Sequence, residues 1–530
     1  MPIPDSLPEE QVAYYTAYYR DHSLPRRLAK AVDFVRENRH LSAALDRNMT
    51  TLLQYLERSH ARSDLHQIGL ELILELNPIP LHLGYWELWE QEIRFAHTLS
   101  LQQGRIQDIA VTLDCLLMVL YYTGQHDELK RTLPEVYRLM ESPECPPHLV
   151  IGIASTVVGM LIYELDAHYT NDFFDKLISS IQQRNLSPET HPDLYARLHI
   201  LRSSVLRKNG ESLDLIFHET EQAVKLVESH PQPVELAGDA YRIRALINWV
   251  RGEAALAVVD YKKALSLFEQ SNNIFSTALT TGNLGLAYWS LGDLKQAVEA
   301  KEKGIEIAKN LRAYWQWARE VGDLAVIFLT QGDLEAALRC IERQIKLSTR
   351  VGQEAEILRA AGHRAIVNFH QGLYEQARVD LEMEITEETK EDRPEGVNVG
   401  CARATLSLCY LFLGQPEKAL REAERSIAIG RRIHVRPLEL IGLRALAECL
   451  PKAERAAVFH EALAVARQTR RIGDEAACLI SLSHLASEPE EGRALWQTGL
   501  DLLTQMGAVG WLTQLRTLPA GTHFILPLMI

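Results

Sequence analysis

The amino-acid sequence predicts an all-α protein, a right-handed superhelical α-solenoid of stacked antiparallel helix hairpins. Three observations predict it. A glycine recurs about every 40 residues, small side chains stand at fixed offsets on both sides of it, and apolar residues at spacings of three and four join these positions into one stripe per helix. A chain of 530 residues exceeds what one ordinary hydrophobic core organises, and an elongated array answers that without separate globular cores.

The glycine series runs Gly84, Gly124, Gly210, Gly252, Gly292, Gly332, Gly372, Gly414, in steps of 40, 86, 42, 40, 40, 40 and 42. The long step is two units with a degenerate turn near Asp166. Each glycine is expected to end the first helix of a hairpin in a left-handed conformation that a Cβ disfavours. Seven residues earlier stands a small side chain (Ala245, Gly285, Ala325, Ala365, Ser407) that lets the two helices approach. Five residues later comes an alanine (Ala257, Ala297, Ala337, Ala377, Ala419), its counterpart on the second helix. Tyr288, Phe328 and Tyr410, four before the glycine, fill the gap, whereas Asn248 and Asn368 depart from that rule.

Residues 1–60 lack the glycine unit and read as an N-terminal helical capping segment. Residues 61–430 form the repeat array. Residues 431–518 form divergent hairpins, one turned at Pro451 and one at Ser487-Glu-Pro489, and residues 519–530 form an apolar tail. The acidic stretch 386–396 reads as an exposed loop between repeats, or as a helix running on toward Asp392.

The small–aromatic–glycine–alanine pattern resembles the tetratricopeptide repeat family, with a unit of 40–42 residues in place of the usual 34. Long units of this kind are similar to those of kinesin light chains and of the sensor arrays in STAND-type signalling ATPases and transcription activators. Near the start, Glu37, Asn38, Ala43, Ala44 and Leu45 resemble the entry to such sensor arrays; an ordinary capping helical pair explains them equally. The resemblance implies a binding module, with no nucleotide-binding domain in this chain.

The search for chemistry supports the same conclusion. There is no Gly-x-x-x-x-Gly-Lys-Ser/Thr loop, no His-Glu-x-x-His, no Gly-x-Ser-x-Gly elbow and no Cys-x-x-Cys. The sequence therefore predicts no enzyme, no cofactor and no metal. Seven scattered cysteines suit reduced thiols, and Cys401 and Cys409 fall in a packing stripe. A formal charge of −14 argues against nucleic acid as the partner. No apolar run approaches a membrane span and no signal peptide opens the chain, so a cytoplasmic location is expected.

Stacked hairpins curve, and their first helices line the concave side. Offsets from the turn glycines place there Arg197, Arg242, Trp249, Asn283, Trp289, Arg319, Asp323, Arg359, His363 and His370. Several are cationic in an acidic chain, which points to a protein or peptide partner with an acidic segment, a carboxylate or a phosphate. The resemblance implies that Asn283 bonds the backbone of an extended peptide. The same tryptophans could pack between hairpins and the same arginines could pair with acidic neighbours. Phe524, Ile525, Leu526 and Leu528 in the tail suit either a strap over the last hairpin or a peptide that docks on a partner. Three functions stay open: an adaptor or sensor that binds a peptide in the groove, a regulatory receptor for a small ligand, and a non-catalytic accessory subunit of an enzyme or defence complex.

Overall fold

The computed structural model describes residues 9–38, 42–77, 79–83, 85–123, 125–164, 167–184, 186–230, 233–350, 352–390 and 394–529. The turns expected at Gly84, Gly124 and Asp166 lie outside the described residues, as does part of the acidic stretch. The chain is 83% helical, with 26 α-helices and no strand among the described residues. It divides into two compact units, residues 1–157 and 158–530.

The first unit holds α1 (Glu9–Asn38), α2 (Ser42–His60), α3 (His66–Leu76), α4 (Ile79–His82), α5 (Trp86–Gln103), α6 (Ile106–Tyr122), α7 (His126–Glu141) and most of α8 (Pro147–Glu164). Leu28, Leu45, Met49, Leu56, Leu70 and Trp89 are fully buried, one apolar face per helix. At the rim of this unit Arg36 reaches Glu75 at 2.8 Å and Glu71 at 2.5 Å.

The second unit continues with α9 (Ala167–Gln183), α10 (Pro192–Lys208), α11 (Leu213–Ser229), α12 (Val234–Arg251), α13 (Ala254–Gln270), α14 (Ile274–Ser290), α15 (Leu294–Asn310), α16 (Tyr314–Gln331) and α17 (Leu334–Arg350). It ends with α18 (Glu354–His370), α19 (Tyr374–Glu388), α20 (Val397–Phe412), α21 (Pro416–Arg432), α22 (Arg436–Cys449), α23 (Lys452–Gln468), α24 (Ile472–Leu485), α25 (Pro489–Met506) and α26 (Val509–Leu515).

The expected turn glycines Gly210, Gly252, Gly292, Gly332, Gly372 and Gly414 all take φ between 67° and 92°. A second turn, absent from the sequence reading, follows each of several of them by 20 residues. Asn272, Arg312, Gly352 and His434 take φ of 54°, 54°, 68° and 57° after Gly252, Gly292, Gly332 and Gly414. The small residues on either side of the first turn (Ala245, Ala257, Ala297, Ala325, Ala337, Ala365, Ala377) are wholly buried, so each hairpin closes on its methyl groups.

The second unit also folds back on itself. The Leu213 N–H donates to the Ile433 carbonyl at 3.2 Å, and His434 Nδ1 meets Asp214 at 2.8 Å, across some 220 residues of chain. Farther along, a Cβ on Gly252 would press on Thr469, one on Gly292 on Met506, and one on Gly332 on the backbone of Gly510 and Trp511. The Trp511 indole N–H donates to the Leu329 carbonyl at 2.9 Å. Successive glycine turns of α10–α17 therefore seat on α21–α26, one superhelical turn later.

Candidate functional site

The charged candidates on α16 and α18 are already engaged. Lys301, on α15, is fully buried; its Nζ donates to Glu320 at 2.7 Å and to Asp323 at 2.6 Å. Arg359 closes the network on Asp323 at 2.6 Å, on Glu356 at 2.7 Å and on the Arg319 carbonyl at 3.2 Å. Burial pushes the Asp323 carboxyl up, yet Lys301 and Arg359 together hold it below the ordinary carboxylate range. Burial raises Glu320, despite Lys301. His363 lies beside this network with its Nδ1 shielded and unpartnered, and burial together with Arg359 pushes its pKa down to about 3. On the neighbouring helix, burial and Glu388 push Glu384 up to about 8, its carboxylate set against the Cα of Gly362.

The remaining candidates divide by role. Arg242 pairs with Asp239 at 2.9 Å, one turn back on α12. Asn283 is buried on α14, and Arg197 is half-buried on α10. The Trp249 indole donates to Ser290 at 2.8 Å and the Trp289 indole to Thr330 at 2.7 Å, so both rings tie one first helix to the next. His370 packs against Phe369 and Trp511, with ring centres 5.2 and 5.0 Å away, and burial lowers its pKa to about 3.

The tail runs beyond the last hairpin. Leu526 joins the core of α24–α26 with Ile480, Trp511 and Leu515. Leu528 joins the core of α18–α22 with Phe369 and Leu438, and Met529 joins that of α14–α18 with Trp289 and Leu324. These three side chains are at most 8% exposed, whereas Phe524 and Ile525 are half-buried. The segment has no regular secondary structure, and two arginines hold its main chain. Arg444 of α22 donates to the Leu526 carbonyl at 2.8 Å and to the Pro527 carbonyl at 3.1 Å. Arg471, just before α24, donates to the Met529 carbonyl at 2.6 Å. Asp474 sets both guanidinium groups, at 2.6 Å from each. The Arg471 guanidinium also lies 5.2 Å from the Trp289 ring centre. Upstream, His484 meets the Gly521 carbonyl at 2.9 Å, and His523 meets Glu448 at 2.7 Å.

The clamp is nearly closed to water: Arg444, Arg471 and Asp474 are 5%, 7% and 6% exposed. Two cations face one carboxylate, and three further donations go to peptide carbonyls. Buried guanidinium donors without acceptors would be costly, and here the tail's own carbonyls supply acceptors. Sequence reasoning missed Arg444, Arg471 and Asp474, because the hairpins that carry them turn without glycine and offer no offset to count from. Lys301 was detectable. Tyr261, Ile341 and Leu381 stand 40 residues apart in its register, all buried and uncharged, and a lysine in that stripe demands buried acidic partners.

Burial pushes the Cys401, Cys409 and Cys478 thiols up to about 12, so they stay protonated in the packing. Among the described residues no cluster of His, Cys, Asp and Glu could hold a metal ion, and no helix is long and apolar enough to cross a membrane.

A tetratricopeptide repeat family model matches residues 236–310, a stretch that spans α12–α15. No curated protein matches the sequence. Among solved structures, a Rap protein complexed with Competence and Sporulation Factor is similar at 14% identity, over 68% of this chain and 99% of its own, with a TM-score of 0.47. NprR in complex with its cognate peptide NprX is similar at 14% identity, over 66% and 98%, with a TM-score of 0.46. BtubC from P. vanneervenii is 17% identical over 41% of this chain and 90% of its own, with a TM-score of 0.33.

Proposed function

We propose that the second unit is the working part of a protein-interaction adaptor or sensor, whose groove grips the main chain of an extended peptide. One observation carries this reading: Arg444 and Arg471, fixed by Asp474, donate to three carbonyls of a segment without regular secondary structure, those of Leu526, Pro527 and Met529. Main-chain bonds supply affinity that does not depend on sequence, and apolar cores on either side supply selectivity. The candidate acidic ligand of the groove is less well supported, since Arg242, Arg319 and Arg359 lie among carboxylates of their own.

The test is an array of apolar decapeptides probed with the chain from which residues 522–530 have been cut and removed, and with Arg444→Gln and Arg471→Gln in that cut chain. A charge-assisted bond contributes about 1.5–3 kcal/mol, so each substitution should weaken capture roughly ten- to a hundred-fold. Capture that is indifferent to both arginines, or that depends on Arg242 and Arg319 instead, would move the site elsewhere.

A further inference from the structure

Resting on that peptide-groove reading, we propose that residues 522–529 are a tethered occupant of the groove, and that the external partner is an extended segment of the same chemistry: apolar residues flanking a proline. Three features support this. The segment is held as a ligand is held, by side-chain donors on its carbonyls. Among the described residues, the main-chain N–H groups of 523–529 take no backbone acceptor. The clamp offers donors and almost no acceptors, since the one carboxylate in it, Asp474, is taken by both arginines. A chain bound there gains where it presents carbonyls and loses where it presents unmet N–H groups, and proline, with a carbonyl and no N–H, is the residue that suits such a site. Pro527 occupies that place, with Leu526 before it and Leu528 and Met529 after it in separate apolar cores.

The attachment also suits an occupant that leaves. Pro519 and Ala520 are exposed, and Gly521 takes φ 81°, so the segment departs from α26 through a short surface turn. A peptide on so short a linker sits at an effective concentration on the order of 1 mM. If the free segment binds at about 10 µM, the tether suppresses an external competitor about a hundred-fold.

The experiment inserts a protease site between Ala520 and Gly521 of the full chain and follows a fluorescein-labelled peptide of residues 522–530 by anisotropy. The uncut chain should bind it weakly. Cutting and dialysis should tighten binding at least ten-fold while helicity persists, and Leu526→Asp with Leu528→Asp in the uncut chain should open the groove equally. A control peptide with Pro527→Ala should bind less well. Equal affinity for cut and uncut chains overturns the tethered occupant and leaves the groove reading standing. A cut, helical chain that has lost its segment and binds no peptide overturns the groove reading itself. A segment that never leaves after cutting, together with a Leu526→Asp, Leu528→Asp chain that loses helicity and captures nothing, makes these residues a fixed strap and overturns the inference.

Discussion

Hairpins α14–α19 and helices α22–α26 meet one superhelical turn apart, and they treat charge in opposite ways. The first set repeats at 40 residues with glycine turns, and its cations and carboxylates neutralise one another: Lys301, Glu320, Asp323 and Arg359 form a closed network. The second set turns at Pro451 and at Pro489 and leaves its two buried arginines sharing one carboxylate. Regular repeats here are spent on packing, and the departures from the repeat are where donors remain for a ligand.

The largest test of this contrast lies in the first set. Lys301→Met strands the buried Glu320 and leaves Asp323 to Arg359 alone; it should cost about 3–5 kcal/mol, lowering the midpoint of urea unfolding without changing its slope. Replacing Glu320 by an apolar residue as well should recover much of the loss, since Asp323 keeps Arg359. A single Lys301→Met chain as stable as the parent would show that the network is not closed.

The same set should also give stability a dome-shaped pH dependence. Glu384 holds its proton up to about pH 8 when folded, against an ordinary value of 4.5. Its contribution is therefore complete below about 4.5 and is lost as pH rises through 8, at no more than about 1.4 kcal/mol per pH unit. His363 and His370, neutral down to about pH 3 when folded, act in the other direction. Their contribution is complete above the ordinary histidine value of 6.5 and is lost as pH falls from there toward 3. In a urea series from pH 4 to 9, Glu384→Gln should flatten the alkaline limb and leave the acid limb. A parent chain with a flat profile from pH 5 to 8 would contradict the buried, protonated carboxyl.

The contact between the two sets can be read from three glycines. Gly332 takes φ 82° and meets Gly510 and Trp511; Gly372 takes φ 79° and meets nothing within 4 Å. Gly372→Ala should cost only the left-handed term, about 1–2 kcal/mol. Gly332→Ala should add an overpacking cost of about 1–3 kcal/mol, and Gly510→Ala should show that second cost alone. Equal losses at Gly332 and Gly372 in thermal melts would mean that the superhelical turns do not bear on each other.

How much of this the sequence reveals follows from the same contrast. The glycine ladder places the hairpins because a left-handed turn between close-packed helices leaves few residue choices, and the buried alanines report the same constraint. The companion turn 20 residues later escapes notice because Asn272, Arg312 and His434 adopt it with ordinary side chains. Offsets from the ladder also find the concave candidates, but they find positions and not partners. Nothing local to Arg242 says that Asp239 takes it, and nothing local to Arg444 says that Leu526, 82 residues on, completes it. The tail is legible as an apolar segment needing cover; its place depends on a superhelical closure no local pattern encodes.

The finest comparison uses one interaction that occurs twice. Trp249 donates to Ser290 and Trp289 to Thr330, each 41 residues ahead and each at nearly the same distance, 2.8 and 2.7 Å. Trp249→Phe and Trp289→Phe should therefore lose about the same stability, roughly 1 kcal/mol for one buried hydrogen bond. They differ in what lies over the ring: Arg471, which holds the Met529 carbonyl, sits over Trp289. Indole is the strongest aromatic partner for a cation, and an interaction of about 0.5–1 kcal/mol corresponds to a two- to five-fold change in binding. Trp289→Phe should thus weaken peptide capture by about that factor while Trp249→Phe leaves it unchanged, measured by anisotropy on chains whose segment has been cut and removed. If both substitutions weaken capture alike, the indoles act by spacing the hairpins, and Arg471 holds its ligand without help from the ring beneath it.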